Sequence, residues 1–194
     1  MNNLDKLILT DCDGVLLNWE YAFDVWMNDK GYILRDRSKY ETYDRYGITK
    51  EKAKELIKFF NESASIGFIP PLRDAVQYVR KIHEEYGFIF GVITSLSTNP
   101  YAVKLRERNL KKLFGTAISF VQCLETGSDK DNALIPYANS GLWWIEDKVE
   151  NAEVGYNLGL ESIIIEHEHN MYSELPFIPV VKKWKEVYEI IGDK

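Results

Sequence analysis

Cysteine is scarce in this chain: Cys12 and Cys123 are the two among 194 residues. So few exclude a disulfide scaffold, and no spacing suits zinc. Cys12 stands between two aspartates that are candidate catalytic groups, so both thiols are read as reduced. Apolar runs are short, and none approaches the roughly 18 residues of a membrane span. Met1 to Lys6 lacks the apolar stretch of a signal peptide. The chain is therefore expected to be cytoplasmic, with no membrane partner. Positive charge is also in deficit: 24 Lys and Arg against 30 Asp and Glu leave a net charge of -6. That balance argues against coating a nucleic-acid polymer, and it means that any anionic substrate must be held by a local positive site. Internal repeats and low-complexity tracts are missing too.

What is present is an ordinary globular composition, 45% hydrophobic and 28% charged, long enough for one packed core with a small appended subdomain. The most informative segment is Leu7-Ile8-Leu9-Thr10-Asp11-Cys12-Asp13-Gly14-Val15-Leu16. Its apolar run has no period-2 alternation and ends in turn residues, which predicts a buried strand. Two carboxylates at the C-terminal end of such a strand sit where open α/β sheets place their ligands. One can attack a phosphorus and the other can give and take protons. Together they invite Mg²⁺, a hard cation that prefers oxygen.

The rest of the chain alternates between helix and strand patterns. Trp19, Ala22, Phe23, Trp26 and Met27 share a helical face that Gly31 ends. A polar, tyrosine-rich stretch runs from Arg35 to Gly47. Thr49 reads as the N-cap of a second helix carrying Ala53, Leu56, Ile57, Phe60 and Ala64. Gly67 and Pro70-Pro71 close this insertion. Then come a helix from Leu72 to Tyr86, a strand to Thr94, a helix from Pro100 to Phe114 and a strand from Ala117 to Val121. A helix from Asp131 to Asn139, a strand from Leu142 to Ile145, a helix from Val149 to Leu158 and a fifth strand from Glu161 to Ile165 follow. Val181, Trp184, Val187, Tyr188 and Ile191 mark a last helix. This order predicts an α/β chain, a three-layer Rossmann-like parallel sheet, with a small helical cap inserted after the first strand. The core would comprise residues 1–18 and 70–194, and the cap residues 19–69, a segment too long for an ordinary loop.

Three further strand ends carry chemistry. Thr94-Ser95 can hold a phosphate oxygen through a hydroxyl and a backbone N–H. Lys130 stands at a helix start, unfavourable for a cation unless it neutralises an anion there. Glu146-Asp147, with Asn151 beyond, repeats the acidic logic of the first strand. Asp147 can complete a Mg²⁺ site with Asp11, while Glu146 or Asn151 orients the ligands. In a parallel sheet all these strand ends lie along one edge.

In that order the motifs resemble those of the haloacid dehalogenase-like superfamily, over nearly the whole chain. Asp11-Cys12-Asp13-Gly14-Val15 matches its first motif, Thr94-Ser95 the second, Lys130 the third, and Glu146-Asp147 with Asn151 the fourth. The resemblance implies that Asp11 is the nucleophile and Asp13 the general acid/base. It implies that Asp11, the Asp13 carbonyl and Asp147 bind Mg²⁺, and that Thr94, the Ser95 N–H and Lys130 hold the phosphoryl group. The insertion falls where the family carries its type-1 cap. Glu146 departs from the commoner aspartate or glycine, and Asn151 from a later aspartate. Aspartate at position 13 favours phosphomonoester hydrolysis over dehalogenation.

The function implied is a Mg²⁺-dependent phosphatase with a phosphoaspartate intermediate, acting on a small phosphorylated metabolite. The aromatic residues Trp19, Tyr21, Phe23, Trp26, Tyr40, Tyr43 and Tyr46 either stack on a nucleobase or form the core of the cap. A nucleoside monophosphate is one candidate, and the helical cap with Thr94-Ser95 is weakly similar to the 5′(3′)-deoxyribonucleotidases. A sugar phosphate, a phosphomutase reaction and a non-catalytic binding role are the alternatives. His83 falls at a partly buried helix edge, the Glu-His-Glu-His run of His167 and His169 follows the fifth strand and could line the same sheet edge, and ordinary surface histidines are expected rather than a second metal site.

Overall fold

The structure is a computed structural model, and it describes residues 6–37, 39, 41–171 and 175–193. Six parallel strands form one sheet: β1 (Leu7–Thr10), β2 (Ile89–Thr94), β3 (Ile118–Cys123), β4 (Trp143–Glu146), β5 (Glu161–Ile165) and β6 (Val180–Val181), in the order β3-β2-β1-β4-β5-β6. Strand β1 is central, between β2 and β4, with Thr10 level with both Val92 and Ile145. The order reverses between β1 and β4, the position at which open α/β sheets bind ligands.

The strands are buried on both faces, which is why their sequences are continuous apolar runs. Ile8, Phe90, Val92, Ile145 and Ile163 face one layer, with α4 (Ala75–Tyr86), α5 (Pro100–Phe114) and α8 (Trp184–Gly192). Leu7, Leu9, Ile93 and Trp144 face the other, with α6 (Asp131–Leu134) and α7 (Val149–Asn157). The three-layer α/β architecture expected from the alternation is the one found. Among the described residues, no helix is long and apolar enough to cross a membrane.

Between β1 and β2 the chain forms α1 (Trp19–Asp29), α2 (Thr42–Tyr46), α3 (Lys50–Asn61) and a 3₁₀ turn at Ala64–Phe68. Thr49 caps α3 by accepting a hydrogen bond from the Lys52 N–H at 3.2 Å. The two connections into this segment are bonded to each other: Asn18 N donates to Pro70 O at 2.8 Å, and Leu72 N to Leu16 O at 2.9 Å. Its aromatic rings pack mainly on one another. Trp19 stacks on Phe23 with centroids 4.6 Å apart, and Phe60 lies edge-on to both. Phe23, Tyr46 and Phe60 are buried. Tyr40 lies outside the described residues.

Several element boundaries differ from the sequence pattern. Helix α4 starts at Ala75, not Leu72, because Leu72 is still held in the antiparallel tie to Leu16 and Arg73 has φ +40°. Strand β3 runs on to Cys123, alongside Thr94. Helix α6 ends at Leu134, and Pro136 falls in a 3₁₀ turn. Val181 belongs to the short strand β6 rather than to the last helix. That helix begins at Trp184, where the Asp74 carboxylate accepts from the N–H groups of Trp184 and Lys185 at 3.0 and 3.1 Å.

Candidate active site

The chain leaves β1 at Asp11, whose N–H is held by the Ile145 carbonyl of β4 at 2.8 Å. This bond extends the sheet ladder by one residue and fixes Asp11 beside the end of β4. The following turn needs Gly14, which has φ +77° and lies so close to Asp147 that a Cβ would come within 2.1 Å of Oδ2. Asp11, Glu146 and Asp147 each offer a carboxylate oxygen within 4.8 Å of the others.

Lys130 is 2% exposed, which overrides the ordinary expectation for a lysine at a helix start. Its Nζ lies 2.8 Å from both Asp11 Oδ1 and Glu146 Oε1. Glu146, at the end of β4, is fully buried and saturated with donors. Oε1 accepts from Lys130 and from Asn151 Nδ2, the latter at 2.5 Å, and Oε2 accepts from the N–H groups of Asp147 and Lys148 at 2.6 and 3.3 Å. Burial disfavours the Glu146 charge, but Lys130 and these hydrogen bonds hold its carboxyl below the ordinary range. Burial also disfavours the Lys130 charge, and the Asp11 and Glu146 carboxylates reverse that and raise its pKa.

Asp11 is the weakly satisfied member of the cluster. Its Oδ1 is buried and has no directed hydrogen bond, although the Lys130 ammonium is close. Burial raises its pKa to about 7; Lys130 opposes the shift, and the Glu146 and Asp13 carboxylates add to it. Asp147 is pushed well above the ordinary range by burial and by the Glu146 and Asp11 carboxylates, with Lys130 opposing the shift. Three carboxylates thus share one ammonium, and ionising all three would leave two negative charges without a counter-ion. An orphaned carboxylate oxygen in an all-oxygen donor set fits a hard divalent cation such as Mg²⁺.

Asp13 is placed differently. Both its oxygens meet the guanidinium of Arg106, Nη1 to Oδ1 at 2.5 Å and Nη2 to Oδ2 at 3.0 Å. Thr94 is buried at the end of β2. The Ser95 hydroxyl donates to the Ser128 carbonyl at 2.7 Å, so the side chain braces the loop that leads to Lys130. Asn151 acts on the cluster through Glu146. A surface groove lined by Trp143, Tyr156, Phe177 and Ile190 lies at the starts of β4 and β5, the opposite edge of the sheet, and holds none of these groups.

Two of the histidines are not the surface residues expected. His167 and His169 follow β5, are partly buried and stack with centroids 5.4 Å apart. His167 Nε2 is 2.6 Å from the Gly14 carbonyl, and burial lowers its pKa to about 4, so the neutral ring donates there. His169 Nε2 is 3.3 Å from the Asp147 carbonyl, to which Asn170 Nδ2 also donates at 2.7 Å. Burial lowers the His169 pKa as well. The loop after β5 thus braces both acidic turns. The signal for this was the position of the Glu-His-Glu-His run after a parallel strand. Arg106 was missed as well; its signal was an arginine on the buried stripe Ala102, Arg106, Leu110 of α5.

No family model matches the chain. An uncharacterized 32.4 kDa protein of Enterobacteria phage T4 is 28% identical over 131 residues; the match covers 64% of this chain and 46% of that protein, so the chain spans about half its relative. Solved structures align over almost the full length. A predicted phosphatase from Clostridium acetobutylicum superposes with a TM-score of 0.68, at 16% identity, over 97% of this chain and 99% of that one. CbbY from Rhodobacter sphaeroides, in complex with phosphate, gives 0.61 at 16% identity over 94% and 96%. L-2-haloacid dehalogenase from Xanthobacter autotrophicus gives 0.62 at 11% identity over 96% and 98%. The chain has the haloacid dehalogenase-like fold. In this fold the acidic, hydroxyl and lysine residues named from the motifs lie at one edge of the sheet, at or just beyond the ends of β1, β2 and β4, with Lys130 reaching in from the start of α6.

Proposed function

We propose that the chain is a Mg²⁺-dependent phosphomonoester hydrolase that works through a phosphoaspartate on Asp11. The observation that carries this reading is the buried junction of Asp11, Lys130, Glu146 and Asp147. Lys130 is fixed by Glu146, so its charge is aimed before substrate arrives, which is the preorganisation that phosphoryl transfer requires. Asp11, the Asp13 carbonyl and Asp147 would hold Mg²⁺, which supplies charge neutralisation for a dianionic phosphate beside carboxylates.

The protein's own steps follow. Thr94, the Ser95 N–H and Lys130 hold the phosphoryl oxygens. An Asp11 oxygen bonds to phosphorus as the bond to the leaving oxygen breaks, and Asp13 gives that oxygen its proton. Water then attacks the phosphoaspartate, Asp13 takes the water proton, and phosphate leaves.

Residues 19–69 serve as the cap in this reading and bound the substrate. Their rings are mostly engaged in mutual packing, whereas Glu20 and Arg45 lie close enough to His169 to act on its charge. A polar rim of this kind favours a small hydroxylated substrate, a sugar phosphate, over a nucleoside monophosphate. The likeness to CbbY, whose mutant was crystallised with xylulose-1,5-bisphosphate, points the same way. A panel of nucleotides, sugar phosphates and an aryl phosphate, assayed for phosphate release with Mg²⁺, tests the reading. Turnover is expected, with loss on chelation and on Asp11→Asn. A folded protein that hydrolyses no phosphomonoester would overturn it in favour of a binding role.

A further inference from the structure

Arg106 lies in the middle of α5, and its side chain has no exposed surface. Burying a guanidinium carries a heavy desolvation penalty, recovered only with good geometry. Here nearly all of its hydrogen bonding goes to the first acidic motif. Nη1 and Nη2 meet the two Asp13 oxygens, Nη1 also lies 2.7 Å from Cys12 Sγ, and Nε has no partner. Two parallel N–H···O bonds fix the plane of a carboxylate as well as its distance. The pair is asymmetric: the cation is sealed in, while the Asp13 side chain keeps 24% of its surface exposed.

We propose that Arg106 is a positioning residue for proton transfer, fixing the plane and place from which Asp13 meets the leaving-group oxygen. The proposal rests on the hydrolase reading above. One Asp13 oxygen stays on Nη1 while the other, on the longer 3.0 Å bond, turns to the substrate. As Asp11 bonds to phosphorus, the phosphorus–oxygen bond to the leaving group breaks and its electron pair goes to that oxygen. The Asp13 proton follows, and the resulting carboxylate closes again on both guanidinium nitrogens. In the second step the water oxygen bonds to phosphorus, its proton goes to Asp13, and the bond between phosphorus and Asp11 breaks with its electron pair returning to the Asp11 carboxylate.

Leaving groups that need no proton separate this role from a merely structural one. The comparison is kcat/KM for p-nitrophenyl phosphate and for glycerol phosphate, both with Mg²⁺, in wild type, Arg106→Lys and Arg106→Gln. Loss of general acid catalysis is worth about 10²–10⁴-fold. The alkyl substrate is therefore expected to fall at least about tenfold further than the aryl one. A burst of p-nitrophenolate is also expected, because Asp13 is the base of the second step. Equal loss on both substrates overturns the proposal. Should the single variants not fold, Asp13→Asn/Arg106→Gln removes both charges and is compared with Asp13→Asn on the aryl phosphate. Equal rates support a role through Asp13, and a further loss overturns it. A wild type inactive on both takes its alkyl and aryl substrates from the panel above, and one inactive on the whole panel overturns the hydrolase reading instead.

Discussion

Gly14 shows how narrowly the acidic turn is built. Its φ of +77° favours glycine, and any side chain there would occupy the position of the Asp147 carboxylate. Gly14→Ala therefore adds a left-handed backbone cost of roughly 1–2 kcal/mol to a displacement of Asp147. The expected outcome is a fold that survives with weakened Mg²⁺ binding, read by calorimetric titration; unchanged affinity would show that Asp147 is not a ligand. Asp11, Asp13, Lys130 and Asp147 were legible in the sequence because each follows a strand, or starts the helix after one, in a fixed order. Arg106, His167 and His169 were not, because their roles come from tertiary proximity. Arg106 reaches Asp13 across 93 positions of sequence, and His167 reaches Gly14 across 153. A single charged residue on a helix looks like any solvated one until its neighbours are known.

The long insertion shares one apolar cluster with the sheet and α5, and a few polar bonds fix its place there. Asn61, at the end of α3, is buried and donates to the Leu96 carbonyl at 3.0 Å while accepting from Trp19 Nε1 at 2.9 Å. Asn109 of α5 donates to the Ile69 carbonyl at 2.9 Å. One amide thus links α1, α3 and the loop that carries Ser95. Asn61→Ala leaves the Trp19 indole N–H without a partner and the Leu96 carbonyl with the Thr126 hydroxyl alone, and stability should fall by about 1–3 kcal/mol, seen as a lower urea midpoint. A midpoint unchanged within error would mean that water replaces the amide and that the tie is weak. The helical nature of this segment was legible from its 3.6-residue period. Strand β6 was not, because two residues give no period and Val181 also suits the apolar face of α8. Its strand character comes from pairing with β5, a long-range event.

At the scale of the molecule, the site and the fold pull on stability in opposite directions. The carboxyl of Asp11 goes from 3.8 in its ordinary state to about 7 in the fold, and that of Asp147 is raised too. The folded chain therefore binds more protons than the unfolded one between about pH 4 and 7, and metal-free stability from these groups falls as pH rises through that window. His167 has the opposite sign: lowered from 6.5 to about 4, it contributes stability that rises with pH between those values. The total profile mixes the two, but a divalent ion acts on the carboxylates and not on His167. The increase in Tm caused by Mg²⁺ isolates them. Binding competes with protons, so the increase should be small at pH 5.5 and larger at pH 7.5. With Mg²⁺ at 100 times its Kd, about 2.7 kcal/mol is gained, which is roughly 5–11 °C for a chain of this size. Asp147→Asn should remove most of the increase. Thermal melts at matched ionic strength, with and without Mg²⁺, decide the matter: an equal increase at both pH values would mean that the ion binds away from Asp11 and Asp147, and the proposed phosphoryl-transfer site would lose its cation.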